Sequence, residues 1–288
     1  MNKIQVGFLV AYDYELLYKS VPIVYEEADE IFLAIDKDRR TWNGNSFEID
    51  NSFFTWVEQF DTQKKITIYE DNFYVPELTT MQCEVRERKM LSDKMGLGNW
   101  LLQLDADEYF IDFKAFVDFL KTKNHLLKNP EKNPVEVDSF LINIFKRVKG
   151  GLLIVDKATK IRVATNWPDY RVGRKTKNRV VYHNSLILHE CLSRTREELE
   201  VKFDNWGHNV DVDKKAYLDR WESINETNYK ESEGHFYLSD DGWKHLDYIK
   251  GDTIEEWATE VRDRKNMYKS SDWILKKNIG QKIKHLFK

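Results

Sequence analysis

Two aspartates, Asp105 and Asp107, follow an apolar segment in the stretch GNWLLQLDADEYF and have the spacing of a cation site. Residues two apart in an extended chain point to the same side, so both carboxylates face one way. Paired carboxylates are hard oxygen ligands for Mg²⁺ or Mn²⁺, and so few protein ligands leave coordination positions open for phosphate oxygens. The alternative is a solvated acidic turn, because Asp is a common turn former.

Two further aspartates stand where predicted strands end. Asp13 follows the apolar segment 4–11, and Asp36 closes the apolar segment 31–36. Each one alone is also explained as a turn residue. In an open α/β sheet, however, ligands bind at the carboxyl ends of the strands. The recurrence of Asp at several strand ends therefore favours a ligand site at one edge of a sheet.

The elements that position these residues follow from the hydrophobic pattern. Apolar segments predict strands at 4–11, 31–36, 65–69 and 100–104, and helical periodicity predicts helices at 15–28, 53–60, 78–97 and 113–120. Strands that alternate with helices indicate β-α-β units and a mostly parallel sheet. Later segments predict short strands at 135–148, 152–155, 179–183 and 185–190, and then helices at 212–229, 253–268 and 271–288. We expect one α/β domain with a mixed central sheet, residues 1–210, and a helical C-terminal extension, residues 211–288.

Composition excludes several classes of protein. Aromatic residues make up 14% of the 288 residues, which argues against a disordered chain. The 45 basic and 49 acidic residues nearly balance, so no nucleic-acid partner is expected. No apolar run approaches the roughly 18–20 residues of a membrane span, and the first residues lack the features of a signal peptide. Two cysteines, Cys83 and Cys191, suit a reducing compartment, so we expect a cytoplasmic protein.

The segment 98–108, GNWLLQLDADE, resembles the D-x-D strand of a bacterial branch of the family 2-type glycosyltransferases, which have the Rossmann-like GT-A fold. The resemblance covers roughly residues 4–210. The family has an Asn-Glu pair after its first strand, a D-x-x-S-x-D turn after its second, an Arg-Asn pair before the D-x-D, and late His-Glu and His motifs. These are matched in part by Tyr12-Asp13, Asp36-Lys37-Asp38, Arg88-Lys89, His189-Glu190 and Asn205-Trp206-Gly207-His208. Lys89 and Arg39-Arg40-Thr41 depart from the family pattern.

The resemblance implies a nucleotide-sugar-binding domain and an inverting, divalent-metal-dependent glycosyltransferase. The donor would be a nucleotide diphosphate sugar, with a UDP-sugar as the first candidate, and the acceptor a hydroxyl of a glycan or lipid-linked molecule in surface polysaccharide synthesis. Mn²⁺ or Mg²⁺ would offset the charge of the leaving diphosphate. The implied roles are metal ligand for Asp107, ribose or metal contact for Asp105, nucleoside contacts for Asp13 and Asp36, base or diphosphate contact for Arg88, and third metal ligand or diphosphate contact for His208.

The acceptor hydroxyl needs a base, and the family uses a carboxylate. Glu190 is the candidate, because it follows the apolar residues 186–188 and so stands at a strand end. Adjacent strand residues face opposite ways, so only one of His189 and Glu190 enters the site if the strand persists through residue 190. The alternatives are a surface carboxylate for Glu190 and a structural imidazole for His189 that orients Glu190 or a loop.

Two basic segments of the sequence each have more than one interpretation. The loop 171–177, RVGRKTK, either closes over a diphosphate or forms a solvated turn. The tail 271–288 is amphipathic and rich in lysine, which suits peripheral contact with the inner face of the membrane, or docking on the protein itself or on a second subunit.

Two rival functions stay open beside the glycosyltransferase. One is a metal-dependent phosphotransferase or phosphatase of the haloacid dehalogenase type, and the other is a non-catalytic carbohydrate-binding protein on a degenerate transferase fold.

Overall fold

The computed structural model describes residues 2–205, 213–234 and 243–286. These residues form a mixed α/β structure with a central mixed sheet and a helical C-terminus. The predicted α/β class and the mixed sheet are confirmed at this level.

The first half of the sheet is parallel. Its strands are β1 (Ile4–Val10), β2 (Glu30–Asp36), β3 (Ile66–Asp71) and β4 (Trp100–Asp105), in the spatial order β3-β2-β1-β4. They are joined by α1 (Leu17–Tyr25), α2 (Asn51–Phe60) and α3 (Thr80–Met95). β1 is buried along its whole length, as is usual for parallel strands covered on both faces. The strands and helices predicted for this half are present.

The second half of the sheet is mostly antiparallel. Its elements are β5 (Glu108–Phe110), α4 (Phe113–Thr122), β6 (Val135–Val148), β7 (Gly151–Val155), β8 (Thr159–Thr165) and β9 (Arg179–His189). β8 lies between β4 and β6 and runs antiparallel to both, while β9 is parallel to β6 and antiparallel to β5. β5 and β8 are not among the predicted strands.

The strands predicted at 179–183 and 185–190 are one continuous strand, β9. The pairing register with β6 shifts between Asp138 and Phe140, so β9 carries extra residues at that point without ending. The Asn184 side chain bonds the backbone of Lys269 there, donating to its carbonyl and accepting from its N–H. Asn184, the polar residue between the two predicted strands, is therefore held within β9 by the C-terminal segment.

The C-terminal region contains α5 (Arg196–Asn205), α6 (Lys214–Ser223), β10 (Leu246–Lys250), α7 (Ile254–Arg262) and α8 (Ser271–Leu286). The helices predicted at 212–229 and 253–268 are shorter than expected, and β10 was not expected. β10 pairs antiparallel with β7, so the extension adds a strand to the sheet. Across the described ranges, no helix has both the length and the apolar character needed to cross a bilayer.

Close packing of α3 on β1 positions one side of the site. A Cβ at Gly7 would lie 2.7 Å from the Leu91 side chain, so a larger residue there would force Leu91 to shift. Thr79 and Gln82 form a capping box at the start of α3, with each side chain bonded to the backbone of the other. The fixed helix presents Arg88 toward the end of β4.

Candidate functional site

A cavity of about 360 Å³, the first cavity, lies at the carboxyl ends of β1, β2 and β4. It is lined by six of the residues singled out in the sequence, namely Asp13, Asp36, Arg88, Asp105, Asp107 and His189. His208 lies outside the described residues. The carboxyl edge of the parallel strands thus brings together side chains that are far apart in the chain.

A larger cavity of about 1080 Å³, the second cavity, adjoins the first. It is lined by Glu190, Lys19, Arg147 and other residues. Both cavities are lined by Tyr12 and Asp13, so they share one wall. His189 lines the first cavity and Glu190 the second, in keeping with the opposite orientation of neighbours at the end of β9.

Asp105 is held by two arginines. Arg88 Nη2 donates to Asp105 Oδ1 over 2.9 Å, and Arg174 Nη2 lies 3.5 Å from Oδ2. Burial raises the pKa of Asp105, but Arg174 and Arg88 outweigh burial and lower this pKa to about 2. Arg88 is itself oriented by Glu84, which accepts from Nε over 2.9 Å. Asp105 is therefore ionised, with a positive group beside each oxygen.

The basic loop 171–177 docks on the D-x-D segment through Arg174. Its guanidinium forms a two-pronged ion pair with Glu108, with Nη1 donating to Oε2 over 2.7 Å. Nη1 also donates to the backbone carbonyl of Gln103 over 2.9 Å. The Arg174 side chain is only 8% exposed, so it does not belong to a solvated turn. The sequence carried a signal for this contact, the cluster of basic residues, but not its partner.

Asp107 is buried between two cations, Arg194 and Lys202, and the imidazole of His189. Its Oδ2 accepts from Arg194 Nη2 over 2.8 Å and from Lys202 Nζ over 2.9 Å, and its Oδ1 lies 3.5 Å from His189 Nε2. Burial raises the pKa of Asp107, while the cations Lys202 and Arg194 more than offset that effect and hold this pKa well below its usual range. Asp107 is ionised at any physiological pH.

Arg194 connects two of the strand-end carboxylates. Its Nη2 donates to Asp13 Oδ2 over 3.0 Å as well as to Asp107. We call this arrangement the Asp13–Arg194–Asp107 bridge. Sequence reasoning missed Arg194 and Lys202, since one lies in a short connection and the other in a helix of mixed charge that is typical of a solvated surface.

His189 is fixed by a neighbouring strand. Its Nδ1 lies 2.9 Å from Asn143 Oδ1, an acceptor, which favours a proton on Nδ1. Burial lowers the pKa of His189, and the Asp107 carboxylate opposes this effect. The imidazole is therefore neutral near pH 7 and presents Nε2 to Asp107.

Glu190 is buried, and three donors surround its carboxylate. Oε2 accepts from Tyr109 Oη over 2.6 Å and from Lys19 Nζ over 3.2 Å, and Arg147 Nη2 lies 3.6 Å from Oε1. Burial and the Glu190 carboxylate raise the pKa of Tyr109, so its hydroxyl stays protonated and donates. Glu190 is thus an oriented carboxylate that faces the second cavity.

Asp36 has a different kind of environment. Its two oxygens accept four backbone N–H groups, those of Asp38, Arg40, Phe73 and Tyr74, at 2.9–3.1 Å. These donors use most of the accepting capacity of the carboxylate. Asp36 therefore orders the two turns beside the first cavity, and a direct contact with a nucleoside stays a prediction.

Trp42 and Glu87 form a pair on the wall of the first cavity. Trp42 Nε1 donates to Glu87 Oε2 over 2.6 Å. Burial raises the pKa of Glu87 to about 8, so its carboxyl group is protonated near neutral pH. A protonated carboxyl has an O–H to donate as well as oxygen acceptors. No sequence pattern distinguished this pair from ordinary helix and loop residues.

The donor set does not fit a divalent cation in this arrangement. Both oxygens of Asp105 and Oδ2 of Asp107 already face guanidinium or ammonium groups, which leaves Asp107 Oδ1 and a single imidazole nitrogen. Mg²⁺ and Mn²⁺ prefer several oxygen ligands. Within the described part of the chain, no group of three or more His, Cys, Asp or Glu side chains is arranged to hold a metal.

Comparisons with known proteins do not assign a family. No family model matches the chain, and no curated protein matches it. The crystal structure of mannose-6-phosphate isomerase from Helicobacter pylori is similar to this structure with 14% identity and a TM-score of 0.29. The match covers 54% of this chain and 56% of that chain, so it spans about half of that protein. A likeness this weak carries no argument about function.

Proposed function

We propose that this chain is an inverting glycosyltransferase with a GT-A fold. It would move a sugar from a nucleotide diphosphate sugar, with a UDP-sugar as the first candidate, to a hydroxyl of a glycan or lipid-linked acceptor. The observation that carries the proposal is the pair of adjoining cavities at the carboxyl edge of the parallel strands, with the D-x-D residues lining the first cavity and Glu190 lining the second. The parallel order β3-β2-β1-β4, with the D-x-D after β4, supports it.

The first cavity suits the donor. Asp36 orders the turns at its rim, and the side chains of Trp42 and Glu87 offer an aromatic surface and a hydrogen-bonding edge for a base. Basic side chains from Arg174 and Lys202 line the same cavity. Preorganised cations near a leaving group stabilise the charge that develops on it during transfer. In this proposal the diphosphate therefore lies at the D-x-D residues.

The second cavity suits the acceptor. Inversion requires a base on the face of the sugar opposite the leaving group, and Glu190 lies across the shared wall from the D-x-D cavity. The Glu190 carboxylate is held by Tyr109 and Lys19, which fixes its orientation toward an incoming hydroxyl. A positioned general base of this kind contributes about 10²–10⁴-fold to a rate.

The direct test is a panel of UDP-, GDP-, dTDP- and CMP-sugars, with nucleotide release measured in the presence of oligosaccharide and lipid-linked acceptors. We expect release with a nucleotide diphosphate sugar and an increase when the right acceptor is present. Release from no donor, combined with no binding of any nucleoside diphosphate by calorimetry, would exclude the transferase. Release of inorganic phosphate from phosphate esters instead would favour the rival phosphatase.

We also propose that α8 contacts an anionic membrane surface. One face of α8 carries Leu275, Ile279, Ile283 and Leu286, whose exposed fractions run from 48% to 76%. The opposite side is docked, because Asn278 bonds the backbone N–H and carbonyl of Tyr182. By helical spacing, Lys276 and Lys282 flank the apolar face. An apolar stripe beside lysines matches the chemistry of a bilayer with acidic headgroups.

A further inference from the structure

We infer that Lys202, held on Asp107 together with Arg194, neutralises the diphosphate of a bound nucleotide sugar, at the position where a D-x-D site would otherwise hold a divalent cation. The inference rests on the function proposed above. It identifies the ligand class of Lys202 as a nucleoside diphosphate and makes binding independent of added metal.

The Asp107 carboxylate already has two charged hydrogen-bond partners. Arg194 and Lys202 both donate to the same oxygen, Oδ2, over 2.8 and 2.9 Å. The side chains of Arg194 and Lys202 are only 6% and 13% exposed, and that of Asp107 is 5% exposed. Charged hydrogen bonds that are shielded from water are strong and are not given up without a replacement partner.

Asp105, the other aspartate of the D-x-D motif, also lies beside positive charges. Asp105 has Arg88 on one oxygen and Arg174 near the other, and Arg174 is anchored by Glu108. A divalent cation between Asp105 and Asp107 would therefore enter a space bordered by several fixed positive charges. Like charges at such short range repel strongly in a partly buried site. The protein's own cations stand where a metal would have to be.

Lys202 has N–H donors left for a ligand. An ammonium group has three N–H donors, and Asp107 is the one hydrogen-bond partner of Lys202 among the residues that the structure describes. The Nε of Arg194 is buried without a hydrogen-bond partner within the same residues, but Arg194 lines the second cavity and not the first. Lys202 lines the first cavity. Phosphate oxygens that enter this cavity therefore meet unused donors at Lys202.

The test uses the full chain and titration calorimetry, with UDP and GDP as probes. Each probe is titrated once in EDTA and once in MnCl₂. We expect at least one probe to bind with the same Kd in both media. Lys202→Met should weaken binding roughly 10- to 100-fold, the loss expected for one hydrogen bond to a charged group. Lys202→Arg should restore most of the affinity, because it returns the positive charge.

Lys215→Met is the matched control. Lys215 is 83% exposed on the neighbouring helix α6 and donates to Asp219, so its loss removes one lysine charge without touching the cavity. We expect its Kd for the probes to equal that of the unmodified chain. The comparison of EDTA with MnCl₂ uses the unmodified chain and stays decisive even if a Lys202 variant fails to fold.

Each outcome decides the inference. Binding that is lost in EDTA and restored by MnCl₂ overturns it and leaves the transferase proposal standing. Binding in EDTA without sugar transfer from any donor supports it and contradicts the proposed activity. No binding in either medium, or equal affinity of the folded Lys202→Met variant, overturns it.

Discussion

The backbone N–H of Glu190 donates to the backbone carbonyl of Asp107 over 2.8 Å. This bond joins the end of β9 to the turn between β4 and β5. The two side chains diverge from it, with Asp107 on the first cavity and Glu190 on the second. Because the link runs through the backbone, a side-chain substitution at either residue leaves it in place. The proposed roles of the two residues are therefore separable by mutation.

Glu190→Gln should slow transfer strongly and leave nucleotide binding intact. Glutamine keeps the size of the side chain and an acceptor for the Tyr109 hydroxyl, but it does not take a proton. We expect kcat to fall by about 10²–10⁴-fold, the usual contribution of a general base. Calorimetry with UDP should give an unchanged Kd. Glu200→Gln, an exposed change on α5 at a residue paired with Arg196, is the control and should keep full activity. Unchanged turnover in Glu190→Gln would assign the base to another group.

Asp107→Asn should destabilise the fold by about 3 kcal/mol, because it leaves the buried ammonium of Lys202 without a carboxylate and Arg194 with Asp13 alone. Urea unfolding followed by circular dichroism measures the difference. Asp118→Asn, which breaks the exposed pair with Lys114, is the matched control and should cause no measurable change.

The double variant Asp107→Asn with Lys202→Met tests whether Asp107 and Lys202 are energetically coupled. Removing the ammonium as well as the carboxylate relieves part of the uncompensated charge, so the double variant should be more stable than the sum of the two single changes indicates. Strictly additive losses would contradict the coupling between Asp107 and Lys202.

Arg174→Lys should release the loop 171–177 from the D-x-D segment. Lysine keeps the charge but lacks the planar fork that bonds both oxygens of Glu108. We expect faster amide hydrogen exchange in this loop, and a loss of stability of about 2 kcal/mol for one buried, charged hydrogen bond. Arg171→Lys changes an exposed pair with Asp169 and serves as the control. Equal exchange in the two variants would show that Arg174 does not anchor the loop.

The sequence predicted the parallel half of the sheet well, for a physical reason. Strands such as β1 and β4 are covered on both faces, so they appear as uninterrupted apolar segments. β8 escaped prediction because its first residues, Thr159 and Lys160, are exposed and only its last three are buried. β10 was missed because it is a short edge strand that forms only against β7.

The site was predictable only in part, for a related reason. The aspartates stand directly after apolar strands, so their place at the carboxyl edge follows from local pattern. Arg194 and Lys202 reach Asp107 only because the chain after β9 folds back over that edge. Nothing in their neighbourhood, LSRTREELEVKF, separates them from solvated surface charges. Pairings of this kind depend on topology and become visible only in three dimensions.

Glu87→Gln should flatten the dependence of stability on pH. Burial raises the pKa of Glu87 from 4.5 to about 8, so the folded chain keeps a proton that the unfolded chain releases above pH 4.5. The stability from this group is present below pH 4.5 and is lost as the pH rises through about 8, at about 1.4 kcal/mol per pH unit at most. Glutamine does not titrate but still accepts from Trp42. The Tm of the unmodified chain should therefore fall relative to the variant between pH 5 and pH 8.5, whereas the exposed change Glu58→Gln should leave the profile as it is. Parallel profiles for Glu87→Gln and the unmodified chain would contradict the raised pKa.

Replacing Leu275, Ile279 and Ile283 by serine should abolish binding of the chain to anionic vesicles. These side chains are 58%, 48% and 52% exposed, and each would contribute roughly 1.5–3 kcal/mol if fully buried in the bilayer interface. The flanking lysines add about 1 kcal/mol each on an acidic surface, so binding should require acidic lipid and weaken with salt. Co-sedimentation with phosphatidylglycerol vesicles and with phosphatidylcholine vesicles measures both effects. The serine variant should keep its fold, because the contacts of Asn278 with Tyr182 on the docked face are untouched. Failure of the unmodified chain to bind acidic vesicles, or a concentration-dependent dimer lost in the serine variant, would show that this face is not a membrane surface.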